Sequence, residues 1–133
     1  MKRITGFIVL ILLLSITVQA QSPNCKAFRN GIFTSIFEGN TDSIKREGAL
    51  QLEYFNGAKD PDRFFVKWLD DCTYTLTPYP EVFEKNKNLP ANVVFTVKIL
   101  NTTKNSYTQT TSINVSTYTV TCEMIKIKPQ KRF

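Results

Sequence analysis

Beyond residue 20 the chain carries no sustained 3.6-residue period over any window of helical length, while apolar residues recur at alternate positions in one short segment after another. Alternation of this kind describes half-buried strands. Strands are therefore expected at Gly31 to Phe37, Asp42 to Arg46, Ala49 to Phe55, Phe64 to Leu69 and Cys72 to Thr77. Three more are expected at Asn92 to Leu100, Ser106 to Ile113 and Asn114 to Ile127. In the third segment Leu50, Leu52 and Tyr54 share one face, and Gln51 and Glu53 share the other. Tyr118, Val120, Cys122 and Met124 align on one face of the last. Asn56-Gly57 is the strongest turn signal, because both residues tolerate positive φ. Pro80 at a first helical position, with Glu81 and Glu84 early and Lys85 and Lys87 late, predicts one short helix. Val82 and Phe83 would pin it to the body as a lid.

Seven or eight short strands with hairpin-length connections make an all-β, antiparallel meander, since parallel pairs would need helical crossovers. One apolar and one Thr-rich face fit a sheet curled around a single core. The expected architecture is a small up-and-down barrel or half-barrel that resembles the lipocalins in outline, with a two-sheet sandwich as the alternative. The Gly-x-Trp signature of lipocalins is missing from the first strand, and Trp68 falls mid-chain after Val66-Lys67.

Residues 1–20 read as a secretory signal peptide, an N-terminal helix ahead of one β-domain over 21–133. Lys2 and Arg3 precede an apolar run from Ile4 to Val18, and Val18-Gln19-Ala20 ends it on a cleavable pattern. The run stops short of the ~20 residues a membrane anchor needs. The protein is thus expected to be exported, periplasmic or secreted, with no stable membrane anchor once the signal is cleaved. Losing Lys2 and Arg3 lowers the formal net charge from +6 to about +4. Four of the remaining basic residues, Lys126, Lys128, Lys131 and Arg132, crowd the C-terminus, so no nucleic-acid footprint covers the fold.

Cys25, Cys72 and Cys122 would meet an oxidising compartment. Three cysteines allow at most one internal disulfide, and counting leaves all three pairings open. A lipidation site wants a small apolar run before its cysteine, and Ser22-Pro23-Asn24 before Cys25 is not one.

Histidine is absent, which removes the commonest general base and metal ligand, and with it the Ser-His-Asp and Cys-His devices and the usual zinc sites. No Gly-rich phosphate loop or dinucleotide fingerprint occurs, and no cofactor is expected. The remaining enzymatic route is a carboxylate pair, Asp70-Asp71 or Glu81 with Glu84, acting as a hydrolase of envelope polymers. Adjacent strand residues point to opposite faces, and the two glutamates suit a helix start. Tyr54, Trp68 and Tyr74 with Phe64 and Phe65 form an aromatic group on neighbouring strands. It would either line a cavity for a small apolar ligand or plug the core. Arg46, beside a turn, would guard a barrel mouth or stand solvated at a strand end.

The run Cys25-Lys26-x-Phe28-Arg29-x-Gly31-x-Phe33, then Ile44-x-Arg46, Gln51-x-Glu53 and Val66-x-Trp68-Leu69-Asp70-Asp71-Cys72-x-Tyr74-x-Leu76, resembles a family of small exported proteins of Gram-negative bacteria. Many of these are lipoproteins. The resemblance covers Cys25 to Leu76, implies an exported β-rich domain, and favours pairing Cys25 with Cys72. Some look-alikes carry the name DNA topoisomerase IV, an activity that needs a far longer chain with nucleotide and magnesium sites. The expectation is a non-enzymatic exported domain that binds a small apolar ligand or an envelope protein, the latter along the Thr-rich strand Ser106 to Ile113 as an augmentation edge.

Overall fold

A computed structural model describes residues 22–128; the expected signal peptide and the tail residues Lys131 and Arg132 lie outside them. The chain turns first at Glu38-Gly39, where φ values of 50° and 80° give a two-residue loop whose twist matches that of the flanking strands. The same up-and-down logic repeats through β1 (Gly31–Phe37), β2 (Asn40–Glu47), β3 (Leu50–Tyr54), β4 (Asp62–Trp68), β5 (Thr73–Pro78), β6 (Phe95–Thr102), β7 (Ser106–Ile113) and β8 (Thr119–Ile127). Each strand pairs antiparallel with the next. β8 returns to β1 through Ile32 opposite Ile127 and Ser35 opposite Met124, and the sheet closes into an eight-stranded barrel.

Closure decides two of the alternatives. There is one wound sheet, not a sandwich, and β7 is paired on both sides, by β6 and β8, with Ser106, Tyr107 and Gln109 buried. The Thr-rich strand therefore offers no augmentation edge. Its threonines decorate a wall whose backbone groups are already bonded.

The two ends of the barrel differ. At one end the chain before β1 forms a 3-10 turn, Cys25–Phe28, that packs as a plug. Cys25 and Phe28 join Phe33, Ile44, Ile99 and Tyr107 in a buried cluster, and Cys25 is disulfide-bonded to Cys72 in the β4–β5 turn. The opposite end carries the longer connections. α1 (Pro80–Lys85) starts on Pro80 as expected and is tied to β4 by Arg63 with Glu81 and by Lys85 with Asp62 at 2.6 Å. Val82 is buried, yet the helix packs on β4 and β5 and adds no residue to the barrel's interior cavity, so it stands beside the mouth and does not act as a lid.

Two strands are shorter by two residues or more than the alternation suggested, and β6 begins at Phe95 where Asn92 was expected. β3 stops at Tyr54 because Phe55–Gly57 coils into a 3-10 turn, where Asn56 adopts φ 47° and its N–H is held by Asp42 Oδ1 at 2.9 Å. β8 starts at Thr119, not Asn114. Asn114 donates from Nδ2 to Asn92 O and accepts from Val94 N–H, both at 2.9 Å, which fixes a loop in place of extended chain. Tyr118 consequently stands 63% exposed, not inward.

Candidate functional site

The interior is built on a buried cation. Arg46 is 1% exposed, neither at a mouth nor solvated, and lies beneath the plug. A guanidinium has five N–H donors, and here all five are used. Nε donates to Arg29 O (3.0 Å); one terminal nitrogen to Gln51 Oε1 (2.8 Å) and Tyr74 Oη (2.9 Å); the other to Phe28 O (2.8 Å) and Tyr107 Oη (3.0 Å). Its carbon lies 4.7 Å from the Phe33 and Tyr74 ring centroids. Arg46 therefore closes the floor, joining the plug backbone to β2, β3, β5 and β7.

Above that floor the barrel encloses a cavity of about 310 Å³ that opens toward the end carrying α1. This is the lower part of the range for small-molecule sites, roughly 300–1,000 Å³. The walls are unlike. Phe64 (β4), Leu76 (β5), Phe95 and Val97 (β6) give an apolar side, and Phe64 and Phe95 meet edge-on at 6.3 Å. Asp42 (β2), Gln51 and Glu53 (β3) give a polar, acidic one. The register explains why: Arg46 lies opposite Gln51 and Ile44 opposite Glu53, so β3 turns its polar face inward to supply the acceptor Arg46 needs. Leu50, Leu52 and Tyr54 are left half-buried on the other face.

Gln51 links the floor to the wall. Its oxygen accepts from Arg46 and its Nε2 donates to Glu53 Oε1 at 2.7 Å. Burial pushes the Glu53 carboxyl up to about 7 from its ordinary 4.5; the Asp42 and Asp62 carboxylates add to the rise, and Gln51 and Arg46 oppose it. Between those two values the folded chain holds a proton that the unfolded chain has lost, so stability falls as pH rises through that window. Glu53→Gln removes the ionising group. It is expected to be more stable than the parent at pH 8, by up to about 3 kcal/mol, with the difference closing near pH 5. Urea midpoints at the two pH values check this; an equal gap at both would refute the assignment.

The residues expected to line a ligand site separate. Tyr74 lines the cavity, and its hydroxyl, kept protonated by burial, faces Gln109 Oε1 at 3.4 Å. Trp68 does not: it packs against the buried clusters with its ring 4.5 Å from Tyr74 and 4.7 Å from the Arg29 guanidinium. Tyr54 lies outside the lining, and Arg46 lies under it. Cys25 and Cys72 are paired, Cα to Cα 5.2 Å. Cys122 lines the cavity as a free thiol whose pKa burial pushes up.

Of the four carboxylates named for hydrolysis, three are engaged elsewhere and Glu84 is exposed on α1, outside the cavity lining. Asp70 accepts the Cys72 N–H at 2.9 Å, which lowers its pKa, and Asp71 pairs with Arg29 at 3.4 Å and Lys26 at 3.8 Å, all at the plugged end. Glu81 serves Arg63. Missed by sequence reasoning were Asp42, Gln51, Glu53 and Gln109, although the Gln51-x-Glu53 alternation beside leucines was the available signal. Among the described residues no group of three histidine, cysteine, aspartate or glutamate side chains is placed to hold a metal ion. Comparison of the chain with protein-family models, with curated proteins and with solved structures found no match.

Proposed function

We propose that this is an exported, non-enzymatic binding protein that takes one small, largely apolar molecule into its barrel. The cavity carries the reading: it is lined mainly by apolar side chains, floored by a fully bonded arginine network, and open at one end. Each of the five Arg46 donors in that floor has its acceptor, so the space above it can stay open without stranding the guanidinium. The Cys25–Cys72 bridge supports an oxidising compartment and hence export. The family resemblance around Trp68 to Tyr74 points the same way. A binding pocket fits better than a hydrolase that cuts within a polymer chain, because such a substrate needs a cleft that runs through, and here the plug fills the far end.

Octan-1-ol, titrated calorimetrically into the full mature chain, is the direct probe. Burying its alkyl chain at about 0.8 kcal/mol per methylene gives a Kd on the order of tens of micromolar. Thr111 on β7 lines the cavity and is half-buried. Thr111→Trp should fill the space and weaken binding at least ~10-fold while the thermal transition stays cooperative. Binding that is absent in the parent, or undiminished in Thr111→Trp, would count against a barrel site.

A further inference from the structure

Resting on the ligand-binding reading above, we infer that the ligand is a small amphipathic cation, an amine on an apolar body, whose ammonium meets Glu53 and Asp42 and whose body lies against Phe64, Leu76, Phe95 and Val97.

The charges allow little else. Among the described residues the only charged side chains lining the cavity are Asp42 and Glu53, with no lysine or arginine in the lining. Arg46, in the floor beneath the cavity, spends all five donors there and has none left for a carboxylate or phosphate head. Lys85, near the mouth, is taken by Asp62 at 2.6 Å. An anionic lipid or fatty acid entering the barrel would thus bring its charge to two carboxylates with no compensating cation.

The acidic wall is open on the cavity side. Glu53 accepts one hydrogen bond, at Oε1 from Gln51, and among the described residues its other oxygen accepts none. That oxygen is also not among the buried atoms without a partner, so it looks into open space. Asp42 is held by the Asn56 N–H at one oxygen only. An ammonium donates three N–H bonds and suits two such acceptors. Aromatic faces complete the environment, since Phe37, Phe55 and Phe64 line the same cavity, and ring faces attract ammonium groups. The room fixes the size: about 310 Å³ holds roughly ten water-sized groups at about 30 Å³ each.

Three probes of one length separate the possibilities: octylamine, octan-1-ol and octanoate, each titrated calorimetrically into the full mature chain at pH 8. Octylamine is expected to bind at least ~10-fold tighter than octan-1-ol, since an ion pair half-screened from water exceeds that threshold, and octanoate weakest of all. In Glu53→Gln the octylamine affinity should fall to that of the alcohol, and Asp42→Asn should lower it part of the way. Octanoate binding as tightly as octylamine would overturn the inference and leave the cavity reading standing. So would an amine preference that survives both substitutions. If none of the three binds, the cavity reading itself fails and the inference goes with it.

Discussion

Arg46→Met is expected to lower the unfolding free energy by about 4 kcal/mol. The methionine matches the length of the arginine stem, so packing changes little, and the effect isolates the five hydrogen bonds. Their loss strands two backbone carbonyls, Phe28 O and Arg29 O, and three side-chain oxygens, on Gln51, Tyr74 and Tyr107. Each unsatisfied buried acceptor costs about 1–3 kcal/mol. The tyrosine hydroxyls can turn toward neighbouring oxygens and recover part of it, which brings the sum to the lower end. Burying a guanidinium is itself unfavourable, and replacing a whole buried ionic group by apolar residues can even stabilise a protein. That gain needs every partner replaced, and a single substitution leaves all five acceptors behind. The acceptors therefore decide the sign. Arg46→Lys keeps the charge but supplies three donors from a point, so it should fall between the two, near 2 kcal/mol. Urea unfolding of the three proteins at pH 7 gives the comparison. A methionine variant within about 1 kcal/mol of the parent would mean that water replaces the arginine freely, and the direct hydrogen bonds of the floor would not be what holds it.

The barrel was legible because its strands are amphipathic in the ordinary sense. Tyr74 and Leu76 in β5 and Val97 and Ile99 in β6 alternate with outward polar residues, Phe64 and Val66 in β4 flank an outward Phe65, and the structure buries the inward apolar set in each case. The cavity's polar wall was not legible, for a physical reason. In β3 the side facing inward is Gln51 and Glu53, while the leucines face out, so hydrophobic alternation alone assigns the wrong face. What reverses it is Arg46, fifteen or more positions from most of its partners in sequence but adjacent in space. Arg46 meets Tyr74 and Tyr107 across separations of 28 and 61 residues, and no local pattern carries that information. Of the two readings open for Trp68, cavity lining or core plug, the structure shows the second. Being aromatic and inward made it a cavity candidate, and only the plug from residues 25–28 shows that its end of the barrel is filled.

That plug is where the second large effect is expected. Replacing Cys25 and Cys72 together by alanine opens a loop of about 48 residues, and on the chain-entropy account should lower stability by about 4 kcal/mol. Part of the loss is local. Cys25 begins the 3-10 turn whose last residue, Phe28, and its neighbour Arg29 offer their carbonyls to Arg46, so the bridge and the guanidinium hold the same short segment from two sides. Once the bridge is gone, the segment can lift away, and two of the five bonds lost in Arg46→Met are already weakened. The effects should then add to less than their sum. A double-mutant cycle between Arg46→Met and the paired alanine substitutions is expected to show coupling of about 1 kcal/mol. Full additivity would mean that the plug stays docked without its covalent tie, held by Phe28 against Tyr107 at a centroid distance of 5.2 Å. Octan-1-ol binding distinguishes the ends of the barrel further. The cavity opens at the opposite end from the bridge, so the alanine pair should alter affinity far less than stability, as long as titrations are made where the variant is still folded.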